Sequence, residues 1–152
     1  MPFLLRPARN DDQKALGALK LRSSLAWGDH VEELRALPEA REVPPEHLPH
    51  IIVAELDGVI VGFATVLVGE DGGEAELEDL FVAPEHWRTG IGRKLVAEAE
   101  RRAVEAGARA LHVVAGARAR PFYEALGYRF AGEVATAFEP AAKLVKSLGA
   151  QR

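Results

Sequence analysis

The chain has no cysteine and one methionine in 152 residues. Without thiols there is no disulfide, no thiolate metal site and no cysteine nucleophile. Any acyl transfer then passes directly from donor to acceptor, or through another nucleophile. A Gly-x-Ser-x-Gly elbow is also missing, so serine acyl-enzyme chemistry is not indicated. No apolar run approaches the roughly 18 residues that span a membrane. Met1 to Arg9 holds no apolar stretch of signal-peptide length, so a cytoplasmic location is expected. Basic charge is in short supply: 19 Lys and Arg stand against 23 Asp and Glu, a net charge of −4. That argues against a general nucleic-acid binder. Histidines are few and scattered. His47 and His50 flank Pro49 with no third ligand in view, so no metal site is expected. His86 and His112 read as surface or packing residues, and His30 as a weak candidate for an acceptor pocket.

What is present is an ordinary single domain's worth of apolar and charged residues, at 48% and 28%. Phe3–Pro7 reads as a first strand. Asn10, Asp11 and Asp12 offer N-caps to a helix running to about Ser24. Val31, Leu34 and Leu37 suggest a short second helix ended by Pro38, and Pro44, Pro45 and Pro49 break anything longer. Ile51–Leu56 and Val59–Val68 are strands joined by Asp57-Gly58, a two-residue hairpin turn. The second arm is almost continuously apolar, as a strand covered on both faces should be. Gly69–Gly73 is a turn, and Glu74–Val82 the next strand, closed by Pro84. Gly90–Ala106 is the clearest helix, with an apolar stripe of Ile91, Leu95, Val96, Ala99, Ala103 and Ala106 and Gly107 as its stop. Ala110–Ala115 is a strand, Arg118–Leu126 a helix stopped by Gly127, and Tyr128–Thr136 a strand. Ala142–Ser147 reads equally as strand or helix. Hairpin-linked strands followed by crossovers predict an α/β domain with a mixed sheet and helices on both faces.

Chemistry concentrates around Trp87-Arg88-Thr89-Gly90-Ile91-Gly92-Arg93-Lys94. A strand enters a loop with two glycines, and a helix begins there. Glycines let the backbone approach a ligand closely. The first amides of a helix are unpaired and carry partial positive charge, which suits a phosphate or pyrophosphate. Arg88, Arg93 and Lys94 add positive charge. A P-loop would need Gly-Lys followed by Ser or Thr, and Gly92 is followed by Arg93-Lys94-Leu95. A dinucleotide fingerprint would need a third glycine where Leu95 stands. A coenzyme A loop remains, as does a helix that merely starts at glycines.

A second constellation separates these. Ala119-Arg120-Pro121-Phe122-Tyr123-Glu124-Ala125-Leu126-Gly127-Tyr128 follows one strand after the glycine-led helix. In that order and spacing, Leu77 to Gly132 resembles the conserved half of the general N-acetyltransferase (GNAT) superfamily. The amino-terminal half matches only in its order of elements. The resemblance implies a mostly antiparallel sheet with a V-shaped splay after Glu74–Val82. It implies acetyl-CoA as co-substrate, with no metal. Amides around Thr89, Gly90, Gly92 and Arg93 would bind the pyrophosphate. Main-chain groups of Phe81 and Val82 would face the pantetheine arm and the thioester carbonyl. Tyr123 would sit near the thioester sulfur, where a phenol can give the departing thiolate a proton or hydrogen bond. Two positions depart from the family pattern. Trp87 stands where Gln or Arg is common, leaving side-chain help to Arg88 or Thr89. Gly116 stands where Asn is common.

The acceptor amine must lose a proton before it attacks. Glu76, Glu78 and Asp79 are candidate bases; on an ideal strand Glu76 and Glu78 share one face and Asp79 the other. The segment Leu77–Glu85 also resembles polyamine and diamine acetyltransferases, which implies Glu78 as base with Glu76 second, directly or through water. The acids Glu70, Asp71, Glu74, Glu76, Glu78 and Asp79 favour a small cationic amine. Trp27 and His30 would help wall the acceptor pocket. The expectation is a single-domain enzyme, residues 1–152, acetylating a primary amine by direct attack in a ternary complex, with a homodimer as its expected assembly. The alternatives are a protein amino-terminal or lysine acetyltransferase, a non-catalytic acyl-CoA sensor of the same fold, and an interaction domain without coenzyme.

Overall fold

In the computed structural model, which describes residues 3–69, 73–136 and 138–148, Asp57 and Gly58 both take positive φ, 53° and 80°. That backbone suits a tight hairpin, and it joins β2 (Ile51–Leu56) to β3 (Val59–Val68). Leu56 faces Val59 across the turn, and the ladder slips by one residue at Ala54/Glu55. The other strands are β1 (Leu4–Pro7), β4 (Glu74–Val82), β5 (Ala110–Ala115), β6 (Arg129–Val134) and β7 (Ala141–Ser147). They hydrogen-bond in the order β1-β2-β3-β4-β5-β7-β6. β1–β2, β2–β3, β5–β7 and β6–β7 are antiparallel, and β4–β5 is parallel. This is the mixed sheet with flanking helices that the element order predicted, mostly antiparallel as the family resemblance implied.

By contacts the chain divides into two compact units, Met1–Thr65 with Asp79–Glu98, and Val66–Glu78 with Ala99–Arg152. In the first, α1 (Gln13–Leu25) and α2 (Val31–Ala36) lie between β1 and β2 in sequence. Leu16 and Leu19 of α1 are buried in a cluster with Val43, Leu48, Ile51, Val53, Phe63 and Ala83. Burial of each such side chain contributes about 1.5–3 kcal/mol. Gly17 lets the main chain of Arg41 come close: a Cβ at Gly17 would lie 2.3 Å from the Arg41 carbonyl oxygen. The start of α1 differs from expectation. Asp12 occupies its N-cap without capping it. The Asp12 carboxylate instead accepts from Arg6 Nη1 at 2.8 Å and from the Arg9 amide at 2.7 Å. Arg6 also donates to Glu55 at 2.8 Å. The proline-rich stretch is not irregular. It forms 3-10 turns at Pro38–Arg41 and Pro45–His50, because a proline near a turn's start gives up an amide the turn does not need.

In the second unit, β4 pairs with β5 from Glu74 opposite Ala110 to Glu76 opposite His112. The turn expected at Gly69–Gly73 lies partly outside the described residues, as do Glu70 and Asp71. α3 (Ile91–Glu105) belongs to the first unit up to Glu98 and to the second from Ala99; it buries the expected stripe, except that Ala106 lies beyond its end and is exposed. α4 is shorter than expected, Arg120–Ala125. Its residues Arg118 and Ala119 belong to the preceding turn, in which the Ala119 and Arg120 amides both donate to the Gly116 carbonyl. Tyr128 is not part of β6. Its amide closes α4 by donating to the Tyr123 carbonyl, and Gly127, at φ 99°, donates to Glu124. This two-bond closure needs a left-handed residue at position 127, which glycine supplies without strain. The last segment resolves as a strand rather than a helix.

Candidate active site

In the first unit, Phe81 and Val82 end β4 and lead through Ala83 to the loop before α3. The Ala83 amide donates to the Val61 carbonyl at 2.8 Å. The Val82 carbonyl accepts from both Ser23 Oγ, at 3.0 Å, and Trp87 Nε1, at 2.8 Å. A carbonyl has two lone pairs, so this one is full. The Trp87 ring stacks on Trp27, with centroids 4.7 Å apart and an interplanar angle of 29°. Arg22 Nη1 meets Glu85 Oε1 at 2.7 Å.

The loop then turns through two left-handed residues, Arg88 at φ 66° and Gly90 at φ 92°. A side chain at Gly90 would find open space, so the glycine is required by conformation rather than by room. For Arg88 the same region costs roughly 1–2 kcal/mol, the kind of local strain that collects at functional sites. Thr89 Oγ1 donates to the His86 carbonyl at 2.5 Å, so its hydroxyl proton is already engaged. The Lys94 amide donates to the Gly90 carbonyl at 3.1 Å. That bond is the first turn of α3, and the amides of Ile91, Gly92 and Arg93 precede it, without intrahelical partners. Arg88, Arg93 and Lys94 are exposed, and none has an ion-pair partner among the described residues. Unpaired amides, a helix dipole and three uncompensated cations make a site for a polyanion.

Asp79 also belongs to this unit. It is 7% exposed, accepts from Thr65 Oγ1 at 2.9 Å and lies 4.0 Å from Lys20 Nζ. This carboxylate is buried and already engaged by its neighbours. The sequence hinted at the cluster only through Thr65, a hydroxyl in an otherwise apolar strand.

In the second unit, Glu74, Glu76 and Glu78 share one face of β4 while Ala75 and Leu77 are buried on the other. The parity is that of an ideal strand. Glu74 is neutralised locally, with Oε1 at 3.0 Å from His112 Nδ1 and 3.5 Å from Lys143 Nζ. Glu76 is half-buried, and no ion pair or hydrogen bond of its side chain occurs among the described residues. Glu78 is exposed and has a partner of its own.

Tyr123 of α4 is buried, and burial pushes its phenol well above the ordinary tyrosine range. Its ring meets Phe122 edge-on at 5.1 Å and Tyr128 at 5.8 Å. No hydrogen bond to the Tyr123 hydroxyl occurs among the described residues. A neutral phenol can donate its O–H as well as accept, and its proton is free for an anion brought beside it. The Trp27 and His30 loop carries two further left-handed residues, Gly28 at φ 82° and His30 at φ 54°. Among the described residues no group of three His, Asp or Glu is placed to hold a metal ion. No helix among them is long and apolar enough to cross a membrane.

A family model described as "Acetyltransferase (GNAT) family" matches residues 14–128. The chain belongs to the GNAT acetyltransferase family. As a GNAT protein it is an acyl-CoA-dependent N-acetyltransferase, and acetyl-CoA is its co-substrate. Solved structures share the fold. A PaiA N-acetyltransferase from Thermoplasma acidophilum in complex with coenzyme A is similar over 97% of this chain and 99% of that one, with TM-score 0.80 and 18% identity. A GCN5-related N-acetyltransferase from Rhodopseudomonas palustris is similar over 97% of each chain, with TM-score 0.74 and 25% identity. A nourseothricin acetyltransferase is similar over 65% of each chain, with TM-score 0.60 and 27% identity. No curated protein matches the chain.

Proposed function

We propose that this GNAT enzyme acetylates a small cationic primary amine by direct attack in a ternary complex, with residues 1–152 acting as one acetyltransferase domain. The observation that carries the reading is Glu76, a half-buried carboxylate without a partner among the described residues, with Glu78 on the same strand face. Together they attract an ammonium group and can take its proton. Sequence resemblance to polyamine and diamine acetyltransferases over Leu77–Glu85 favours Glu78 as the base. The packing favours Glu76. Either acts directly or through one water.

In this scheme the amides of Gly90, Gly92 and Arg93 bind the pyrophosphate, and Arg88 and Lys94 add charge. Thr89 contributes its amide, because its hydroxyl is engaged with His86. Main-chain groups of Phe81 and Val82 face the pantetheine and thioester, the Val82 contribution being its N–H, since its carbonyl is full. An N–H from this segment steadies the oxyanion as the amine attacks the thioester carbonyl. The C–S bond breaks, the thiolate leaves, and Tyr123 meets it with a hydrogen bond and then a proton. Trp27 and His30 wall the acceptor side. A protein amino terminus or lysine is the second reading of the acceptor, and a homodimer the assembly.

An acceptor panel graded by charge tests the reading. Incubated with acetyl-CoA, polyamines and other cationic amines should release coenzyme A thiol faster than neutral amines, and the advantage should shrink with added salt. Equal rates with anionic amines would sink the cationic assignment.

A further inference from the structure

Three contacts fasten the end of α1 to the segment that feeds the glycine loop. Ser23 Oγ donates to the Val82 carbonyl, and Arg22 pairs with Glu85. Trp27 stacks on Trp87. Ser23 and Trp27 are four apart, so they fall on the same side of a helical path. Trp87 belongs to both sides of the junction: its ring meets Trp27, and its indole N–H meets the Val82 carbonyl. Arg88, left-handed and strained, follows it directly. Trp27 opens the loop that runs through Gly28 and His30 to α2. A residue packed at such a junction cannot shift without moving a neighbour, because packed aromatic rings are not freely deformable.

We propose that Trp87 is a positioning residue for the coenzyme loop, and that its stack with Trp27 couples that loop to the one between α1 and α2. The Trp87 bond to Val82 fixes where the chain leaves β4, and so where the amides after Gly90 point. Occupancy of the amide site then alters the Trp27–Trp87 stack. A change at Trp27 alters coenzyme affinity although Trp27 lies outside the glycine loop. The proposal rests on the reading of that loop as the coenzyme A site.

The chain has two tryptophans, and both are in this stack, so intrinsic tryptophan emission reports on it alone. Coenzyme A is titrated into the whole protein and followed by calorimetry and by tryptophan emission in parallel. The expected result is a change in emission with the calorimetric midpoint. Trp87→Phe keeps a ring but loses the N–H. It should bind coenzyme A roughly five- to tenfold more weakly, the worth of one ordinary hydrogen bond. Its KM for acetyl-CoA should rise by the same factor, with kcat at saturation close to wild type and the thermal midpoint lowered by only about 2–4 °C. Trp27→Leu should also weaken coenzyme binding. Calorimetric binding with unchanged emission, or wild-type affinity in both variants, overturns the coupling and leaves the coenzyme site standing. No calorimetric binding to the wild type overturns the coenzyme site itself, and the coupling with it.

Discussion

The Tyr128 hydroxyl donates to Glu100 Oε2 at 2.8 Å, and the Lys146 ammonium sits 3.2 Å from the same oxygen. This network holds the Tyr128 ring, which in turn meets the Tyr123 ring edge-on. The phenol assigned to the leaving thiolate is therefore backed by a second tyrosine whose own hydroxyl is fixed.

Burial raises both phenols above the ordinary value of 10.0, and Glu100 adds to the effect at Tyr128. A group with a raised folded pKa stabilises the fold fully below its unfolded pKa and loses that contribution as pH rises towards the folded value. Stability should therefore fall above pH about 10. These are the chain's two tyrosines, so alkaline tyrosinate absorbance should appear with unfolding, not before it. An early, independent ionisation near the free-tyrosine value would contradict the burial.

Glu76→Gln and Glu78→Gln separate the two candidate bases. The variant that removes the base should lower kcat by about 10²-fold and flatten the rising limb of the pH–rate profile. The other should keep the wild-type profile. Two wild-type profiles would return both acids to a purely electrostatic role.

Gly90→Ala places a Cβ in open space but at φ 92°. It should cost about 1–2 kcal/mol, relieved if the loop re-forms with other dihedrals. Re-forming moves the amides, so coenzyme A affinity should fall even where the thermal midpoint recovers. Calorimetry beside thermal unfolding checks this.

Gly17→Ala is the opposite case. Its new Cβ would stand 2.3 Å from the Arg41 carbonyl oxygen. A backbone atom cannot step aside cheaply, so the variant should lose at least about 1–3 kcal/mol in denaturant unfolding, despite alanine's better helix propensity.

Asp12→Asn should destabilise by about 1.5–3 kcal/mol at neutral pH, through weaker bonds to Arg6. Arg6 holds the Asp12 carboxyl below its ordinary 3.8. Its contribution is present above pH 3.8 and lost as pH falls through the lower folded value. The wild type should show this loss on acidification and the variant should not.

The sequence was most legible where backbone chemistry is local. Asp57-Gly58 dictated its hairpin, Gly107 and Gly127 their helix ends, and the stripe from Ile91 to Ala103 its buried face. Pattern reading failed where tertiary contacts decide. Asp12 was expected to cap α1, but Arg6, brought in by β1, claimed its carboxylate. Pro44, Pro45 and Pro49 did preclude a longer helix, but the short 3-10 turns at Pro38–Arg41 and Pro45–His50 were not foreseen. At the candidate site, the glycine loop and Tyr123 stood out as candidates because both belong to spaced motifs. The partners of Trp87 were not, because Ser23 and Trp27 are distant in sequence and neither residue type signals the other. The same limit applied to Asp79, whose contacts with Thr65 of β3 and Lys20 of α1 are made only in the packed fold. Glu76 gained weight over Glu78 only once the partners of each were known.

The central claim is transfer of an acetyl group from acetyl-CoA to an amine, with Tyr123 meeting the departing thiolate. It is tested most directly by thiol release from acetyl-CoA, with and without a polyamine, in the wild type and in Tyr123→Phe. The account predicts amine-dependent release in the wild type and release slowed about 10²-fold in the variant, with coenzyme A affinity within about twofold of wild type. Amine-independent release in the wild type, or an equal rate in the variant, would contradict it.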